Sequence, residues 1–469
     1  MSVARWICAL FCIGFVSLLS AQNKTLATTP PMGWNSWDAY GLTIDEAQFR
    51  DNVKVLASMK QYGWQYAVID EGWYMQDPFA STTAAQKYLY DKNGLLLPVV
   101  ERFPSSANNA GFKPLADWVH SLGLKFGIHI VRGIPKQVVD ENLPIAGSGF
   151  HAADAADRDA TCPWNDANYG VADNAAGQAY YDSMLQRYAE WGIDFIKVDC
   201  ISDRPYRPSE IRQVAEAIRK TGRPIVLSLS PGPTNLSHAE EVAKYAQMWR
   251  ITDDHWDVWM PAKKPGDGEF PFGLKEEFDR IAAWNKYVKP GGWPDPDMLP
   301  EGSLTPHPGW GEARRSNYTQ DEERSEFTLW AISRSPLIFG GNLTKLDDFT
   351  RSLMTNKKLI EANQWSARSR PVTDLPPEFE NVRVWKNSLS GADCNPTLFA
   401  FFNLADTPVT LHFKWHQLPR AKQGWKCTQF KIEKWDGERS KGDKPVTLML
   451  PAHGSAVVVS GDVKELLWN

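Results

Sequence analysis

The feature that most constrains the fold is an alternation of short apolar runs and longer helical patterns from Met32 to about Ile360. Eight apolar runs are predicted as β-strands, at Met32–Trp37, Tyr66–Asp70, Lys125–Ile130, Asp194–Val198, Pro224–Leu229, Met248–Ile251, Trp293–Met298 and Pro336–Phe339. Helices are predicted at Ile44–Tyr62, Phe112–Leu122, Gly177–Trp191, Ser209–Lys220, Ser237–Tyr245, Leu274–Tyr287 and Asp321–Ile332. This α/β alternation predicts a parallel (β/α)8 TIM barrel. An open doubly wound sheet is less favoured, because no GxGxxG motif follows the first strand.

After Arg368 the pattern changes to β-rich runs separated by Asn, Gly, Asp and Pro. The runs are Val382–Trp385, Thr397–Phe402, Val409–Phe413, Val446–Leu450 and Ala456–Val459. Without a helical period between them, they predict a C-terminal antiparallel β-sandwich. We therefore expect a catalytic barrel over residues 22–368 and a β-sandwich domain over residues 369–469. A chain of 469 residues suits a barrel of about 250 residues or more with a smaller partner.

The N-terminus has the pattern of a secretory signal peptide over residues 1–21. Arg5 precedes an apolar stretch, Trp6–Leu19, and Leu19-Ser20-Ala21 is a small-residue cleavage site. The stretch is short for a transmembrane helix, and no later segment is long enough, so no membrane span is expected. We expect export to a periplasm or outside the cell.

The composition of the chain indicates which classes of binding partner to expect. The chain is 43% hydrophobic and 23% charged, which is typical of a globular protein. Its net charge is −5, with acidic and basic residues interspersed, so a nucleic-acid partner is not expected. The 21 Trp residues are many, and exposed Trp faces commonly stack on sugar rings, so a carbohydrate ligand is favoured.

Four cysteines follow the predicted signal peptide, and an even number in an exported protein permits disulfides. Their order along the chain suggests the pairs Cys162–Cys200 and Cys394–Cys427, with four free thiols as the alternative. No CxxC motif or cluster of His accompanies them, so we expect no metal.

Two predicted strands end in carboxylates. Asp199 follows Phe195–Val198, and Asp253 and Asp254 follow Met248–Ile251. A carboxylate at the end of a buried strand is costly to desolvate, and the C-terminal ends of barrel strands carry active sites. Two such ends predict paired acids facing one cavity, the minimum for cleaving a glycosidic bond.

The alternation of side chains along a β-strand indicates which of these carboxylates share a face with other polar residues. Arg250, Thr252 and Asp254 share one face, whereas Asp253 would point the other way. The same period places Lys197 beside Asp199, where a cation lowers the pKa of a carboxylate and keeps it ionised.

Five motifs fall in order along the chain: TPPMGWNSWDAYG (Thr29–Gly41), YAVIDEGW (Tyr66–Trp73), DFIKVDC (Asp194–Cys200), MWRITDD (Met248–Asp254) and GGWPDPDML (Gly291–Leu299). Together they resemble the family 27 glycoside hydrolases, which include α-galactosidases, α-N-acetylgalactosaminidases and β-L-arabinopyranosidases. The resemblance runs from about Thr29 to about Arg370, and a trailing β-domain is typical of the family.

The resemblance implies a retaining mechanism without cofactor or metal, with Asp199 as nucleophile and Asp254 as acid/base. It further implies a substrate pocket made by Trp34, Asp70, Glu71, Lys197 and Arg250. Trp34 would form an apolar wall, and the other four would bind sugar hydroxyls. Ordinary core packing for Trp34 and a structural role for Arg250 are the alternatives. The resemblance also implies a disulfide at Cys200, for which Cys162 is the natural partner.

Three departures from the family pattern bear on the substrate. Glu71 stands where α-galactosidases usually have Asp, and its extra methylene would crowd the C6 hydroxymethyl of galactose, which β-L-arabinopyranose lacks. Ser230 aligns with a position where α-galactosidases often have Glu, and its smaller side chain leaves room for an N-acetyl group. The segment between Gly133 and Cys162 is long and should lie at the barrel mouth. His151 and Trp164 there are candidates for subsites beyond the first sugar, or merely cover the rim.

The chain is thus expected to be a secreted exo-glycosidase that acts on an oligosaccharide or polysaccharide and releases terminal α-D-galactose. The alternatives are a β-L-arabinopyranosidase, then an α-N-acetylgalactosaminidase. A catalytically inactive carbohydrate-binding barrel is a further alternative, but a lectin needs neither Asp199 nor Asp254.

Overall fold

A computed structural model describes residues 26–80, 86–264, 268–305, 312–389, 397–414, 418, 431–434, 439–441 and 445–461. The predicted signal peptide and the predicted Cys394–Cys427 pair lie outside these residues. Within the described part of the chain, no helix is both long enough and apolar enough to cross a bilayer.

Eight parallel strands form the central sheet, each within a few residues of its predicted position. They are β1 (Met32–Asn35), β2 (Tyr66–Ile69), β3 (Lys125–Val131), β4 (Phe195–Asp199), β5 (Val226–Leu229), β6 (Met248–Arg250), β7 (Trp293–Asp295) and β8 (Leu337–Phe339). Each strand from β1 to β6 pairs with the next along the chain, and β1 also pairs with β8. Beyond β7, Leu299 N–H donates to Ile338 O at 2.8 Å, and Gly340 N–H donates to Leu299 O at 3.0 Å. These bonds join the segment that follows β7 to β8 and close the barrel, and the TIM-barrel prediction is confirmed.

Helices cover the outside of the barrel. The longer ones are α1 (Glu46–Ser58), α2 (Lys113–Ser121), α3 (Ala175–Trp191), α4 (Pro208–Thr221), α5 (Ala239–Tyr245), α6 (Leu274–Trp284), α7 (Gln320–Ser333) and α8 (Lys357–Trp365). Local signals set their ends. Asp45 caps α1 by accepting the N–H of Gln48, whose side chain accepts the N–H of Asp45 in return. The helix α4 begins with Pro208 and ends at Gly222, which has a φ of 70°.

A small antiparallel sheet covers part of the barrel mouth after β3. Its strands, in spatial order, are Ile134–Pro135, Asn168–Val171 and Ala156–Thr161. Short helices at Lys136–Asp140 and Ala152–Ala155 lie in the same segment. The long segment between Gly133 and Cys162 is therefore partly ordered as a sheet. The turn that connects its last two strands, residues 162–167, is called the rim turn below.

The C-terminal strands form two antiparallel sheets, as predicted for a sandwich. They are β9 (Ser366–Pro371), β10 (Val382–Leu389), β11 (Thr397–Asn403), β12 (Val409–Phe413), β13 (Lys431–Lys434), β14 (Arg439–Lys441), β15 (Val446–Leu450) and β16 (Ser455–Gly461). One sheet has the order β9-β10-β11-β16-β13-β14, and the other pairs β12 with β15. Their facing residues, including Phe401, Leu411, Phe413 and Val458, form a separate apolar cluster. The strand β9 spans the predicted domain boundary at residue 368.

The sandwich packs on the barrel through both polar and aromatic contacts. His453, in the turn before β16, lies with Nδ1 2.7 Å from the Glu322 carboxylate of α7. Its ring stacks on Trp259 with 3.9 Å between centroids. Phe278 of α6 meets Phe402 of β11 edge to face at 5.0 Å. Trp259 lies five residues after Asp254, so the sandwich touches the segment that carries this carboxylate.

Candidate active site

Asp199 is the last residue of β4, and its carboxylate is held by two groups. Oδ1 accepts the N–H of Cys200 at 2.6 Å, and Oδ2 lies 3.3 Å from Nε2 of His129, on the neighbouring strand β3. The side chain is 17% exposed. Burial alone would raise its pKa, but His129 and the charge of Lys197 outweigh burial and hold the pKa of Asp199 below its usual value. Asp199 is therefore ionised, as a nucleophile must be.

The closest charged partner of Lys197 is Asp70 rather than Asp199. Its Nζ lies 3.0 Å from Oδ2 of Asp70, which also accepts a hydrogen bond from Nδ2 of Asn35 at 2.7 Å. Asp70 is buried at the end of β2. Burial raises its pKa, but Lys197 and His129 outweigh this and hold the pKa well below the usual value. The predicted effect of Lys197 on Asp199 is present, but smaller than that of His129.

Asp254 has a different environment. Arg250, the last residue of β6, lies with Nη2 3.2 Å from Oδ1 of Asp254 and 2.7 Å from Oδ2 of Asp297. The Asp254 carboxylate is 43% exposed, yet that exposure is to the inside of a cavity. Separation from bulk water raises its pKa; Arg250 opposes the rise, and the nearby charges of Asp199 and Asp253 add to it. Asp254 is therefore suited to hold a proton.

Asp253 faces away from the cavity, as the strand period predicts. Its Oδ2 accepts a hydrogen bond from Nη2 of Arg204 at 2.6 Å, and its Oδ1 accepts the N–H of Asp254 at 2.9 Å. The physical reason differs from the predicted one, because β6 ends at Arg250 and Asp254 lies beyond it. The bond to Arg250, rather than strand alternation, orients Asp254.

Asp297 is a third acid at this end of the cavity and was not among the predicted site residues. It follows β7 with a positive φ of 91°, and its Oδ2 accepts the N–H of His255 at 3.0 Å. Burial raises its pKa to about 7; Arg250 opposes the rise, and the charge of Asp254 adds to it. The signal was its position after a buried strand, in GGWPDPDML, the same signal that identified Asp199.

Glu71 presents its carboxylate to the cavity beside Asp70. Its Oε1 accepts a hydrogen bond from Nδ2 of Asn165 in the rim turn at 3.0 Å. Burial raises the pKa of Glu71 to about 7; His129 opposes the rise, and the charges of Asp199 and Asp70 add to it. Asn165 is therefore positioned to fix the side chain whose length distinguishes this chain from the usual α-galactosidase pattern.

The predicted apolar wall at Trp34 is corrected by the structure. Trp34 is 0% exposed, its Nε1 donates to Gly341 O at 2.8 Å, and its ring packs against Phe49 of α1. It points away from the barrel interior into the helix layer. Trp37, three residues later, lines the cavity instead.

The cavity has a volume of about 340 Å³, suited to a small ligand. It brings together seven predicted residues: Asp70, Glu71, Lys197, Asp199, Ser230, Arg250 and Asp254. The lining residues not predicted are Trp37, Asp38, Leu42, Gln86, Asn165, His255, Trp256, Phe270, Asp297 and Met298. Trp164 also lines the cavity, whereas His151 is exposed and does not line it. Within the described ranges, no three His, Cys, Asp or Glu side chains are grouped as metal ligands.

A disulfide joins the rim turn to the end of strand β4. Cys162, at the start of the turn, is bonded to Cys200, the residue after Asp199, as expected from the sequence. The turn is thus anchored covalently beside Asp199 and by hydrogen bonding to Glu71.

Comparison with known proteins agrees with this geometry. The family model for alpha galactosidase A matches residues 167–365. Alpha-galactosidase A of Cellvibrio japonicus is 28% identical, over 95% of this chain and 97% of its own length. The structure of a GH27 β-L-arabinopyranosidase from Geobacillus stearothermophilus is 38% identical, with a TM-score of 0.82, covering 94% of this chain and 98% of its own.

A putative α-N-acetylgalactosaminidase from Bacillus halodurans C-125 is 36% identical, with a TM-score of 0.78, covering 94% of this chain and 99% of its own. These similarities extend over the barrel and the sandwich together. At this identity and coverage, and with Asp199 and Asp254 facing one cavity, the chain belongs to glycoside hydrolase family 27.

Proposed function

We propose that the protein is a retaining exo-glycosidase that releases terminal sugars with the ring-hydroxyl arrangement of galactose, and that it prefers β-L-arabinopyranosides to α-D-galactosides. The observation that carries the reaction is the opposite electrostatic environment of Asp199 and Asp254 in one cavity. Pairs of carboxyl groups whose pKa values are pushed apart divide into nucleophile and acid.

In the first step, the ionised carboxylate of Asp199 attacks the anomeric carbon while Asp254 gives its proton to the leaving oxygen. A covalent glycosyl-enzyme forms on Asp199, and the rest of the substrate departs as an alcohol. In the second step, Asp254 takes a proton from water, which attacks the same carbon and releases the sugar with its original configuration. His129 keeps Asp199 ionised before the attack.

The remaining polar groups bind the sugar. Asp70 and Lys197 form a buried ion pair whose outer atoms line the cavity, and Arg250 lies beside Asp254. Charged donors and acceptors of this kind form strong hydrogen bonds with hydroxyl groups. Because these residues hold one another in place, the ring hydroxyls meet a preformed set of partners.

Glu71 carries the preference among sugars. Its carboxylate reaches into the cavity one methylene further than Asp would, and Asn165 holds it there. This favours β-L-arabinopyranose, because its ring carries no hydroxymethyl group to meet Glu71. The Geobacillus stearothermophilus enzyme, a β-L-arabinopyranosidase, and a variant of it in complex with arabinose also support this choice.

α-D-Galactoside hydrolysis is the second candidate, favoured by the match to the Cellvibrio japonicus alpha-galactosidase A over 95% of this chain. α-N-Acetylgalactosaminide hydrolysis is third, supported by the small side chain of Ser230 in the cavity. A sugar-binding barrel without activity is disfavoured, since both catalytic carboxylates and their supporting contacts are in place.

We further propose export, with residues 1–21 as signal peptide, residues 22–368 as catalytic domain and residues 369–469 as sandwich domain. The Cys162–Cys200 disulfide supports an oxidising compartment, the periplasm or the extracellular space. Detection of the mature chain outside the cytoplasm, with its N-terminus near residue 22, would test this.

The substrate preference is tested by comparing kcat/KM for the nitrophenyl β-L-arabinopyranoside, α-D-galactopyranoside and α-N-acetylgalactosaminide. Glu71→Asp should raise the galactoside-to-arabinoside ratio by about 10-fold or more, the range expected for one methylene in a pocket. Glu71→Gln, which keeps the length and removes the charge, is the matched control and should change this ratio less. An unchanged ratio in Glu71→Asp would contradict the assignment of preference to Glu71.

A further inference from the structure

A second cavity adjoins the catalytic one at the barrel rim. It has a volume of about 200 Å³ and is lined by Gln86, Tyr88, Lys136, Gln137 and Asp166, among others. Gln86 lines both cavities. The two cavities therefore meet at Gln86.

The rim turn contributes to both cavities with consecutive residues. Trp164 and Asn165 line the catalytic cavity, and Asp166 lines the second one. Trp164 is 44% exposed, so its indole lies at the open edge of the catalytic cavity. The turn is anchored by the Cys162–Cys200 disulfide and by the bond from Asn165 to Glu71. Such anchoring presents Trp164 at low entropic cost to a ligand.

The lining of the second cavity matches a neutral, hydroxyl-rich ligand. Lys136 and Asp166 supply one positive and one negative charge, and Gln86 and Gln137 supply two neutral amides. Lys136 Nζ lies 3.5 Å from Asp166 Oδ2, with the two side chains 32% and 60% exposed. An exposed pair of this kind is weak, so its atoms can exchange partners with ligand hydroxyls.

We propose that Trp164 and the second cavity form a subsite for the sugar unit that follows the terminal sugar of the substrate. The inference rests on the proposed function, because an exo-glycosidase holds the terminal sugar inside and the rest of the chain outside. The subsite makes short neutral oligosaccharides, or side chains of neutral polysaccharides, better substrates than glycosides with a small leaving group. Trp164 stacks on the second ring, and the polar cluster binds its hydroxyls.

The test compares a glycosyl fluoride, which has no second sugar, with a neutral trisaccharide that has the same terminal sugar. In Trp164→Ala, the trisaccharide-to-fluoride ratio of kcat/KM should fall about 10-fold, the loss expected for one aromatic contact. The double variant Lys136→Ala/Gln137→Ala should lower the same ratio by a smaller factor. Trp365→Ala removes an exposed Trp that lines neither cavity and should leave the ratio unchanged. Thermal unfolding midpoints show whether each variant is folded.

The outcomes separate the subsite from the proposed function. Fluoride hydrolysis with an unchanged ratio in both variants would overturn the subsite and leave the function standing. A wild-type enzyme that cleaves neither fluoride nor trisaccharide would overturn the function, and the subsite with it. If Trp164→Ala lowers the ratio while the double variant does not, the second cavity is not part of the subsite.

Discussion

Asp199 and Asp254, the two carboxylates proposed to be catalytic, face one cavity of the barrel, yet the charges that surround them differ in sign. Asp199 is in contact with His129 and near Lys197, so cations dominate its environment. Asp254 shares its one close cation, Arg250, with Asp297, and other acids surround it. Burial acts on both carboxylates in the same direction. The difference between their pKa shifts therefore comes from the neighbouring charges, which supports the two proposed roles.

The largest effect should come from removing the cation-dominated acid. Asp199→Ala should lower kcat by on the order of 10⁴-fold or more on every substrate, because the covalent intermediate cannot form. Added azide should restore turnover and give a glycosyl azide of inverted configuration. Substantial activity without azide would show that another group is the nucleophile.

Asp254→Ala should lower activity less than Asp199→Ala does, and the size of the loss should depend on the leaving group. We expect a loss of about 10²- to 10⁴-fold for substrates with sugar leaving groups, the usual contribution of general acid catalysis. The loss should be much smaller for a glycosyl fluoride, whose leaving group needs less protonation. Asp253→Asn is the matched neighbour and should retain most activity. Equal losses for both leaving groups would contradict an acid role for Asp254.

His129→Gln should reduce the difference between the pKa values of the two carboxylates by raising the pKa of Asp199. Asp199 acts ionised, so activity is lost as the pH falls through its pKa. Without His129 that pKa rises, and the acidic limb of the kcat/KM profile should move to higher pH. A lower maximum with an unmoved limb would mean that His129 only supports the shape of the site.

Asp297→Asn should lower the pKa of Asp254, and its effect on activity should be the smallest of the four substitutions. Asp254 acts protonated, so activity is lost as the pH rises through its pKa. Removing the negative charge of Asp297 lowers that pKa, and the basic limb should move to lower pH. Because the two acids share Arg250, the limb reports the pair rather than either group alone. A limb that moves upward would contradict this coupling.

The comparison also shows what the sequence could predict. Asp199 ends an apolar strand and Asp254 lies four residues beyond another, so predicting both needed only the local sequence and a barrel topology that the alternation reveals. His129 carried a comparable signal, a lone polar side chain between Ile128 and Ile130, but its partner is on another strand. The pairing of β3 with β4 has to be known before His129 can be placed beside Asp199.

The contact between Asn165 of the rim turn and Glu71 was beyond sequence-based prediction. Asn165 meets Glu71 across 94 residues of chain, and only the folded rim sheet brings them together. The error at Trp34 has a related cause. The strand β1 is only four residues long, and its alternation does not reveal which face meets the helices. Long-range packing against Phe49 decided the matter.

The stacking of His453 on Trp259 has a consequence for engineering. Since the sandwich domain holds the segment that follows Asp254, the barrel is not an independent unit for transplantation. Chimaeras that exchange the C-terminal domain between relatives should therefore be designed with the His453 turn and the Trp259 segment taken from the same parent. The domain border that matters for such work follows this stacked pair, not the linear order of the chain.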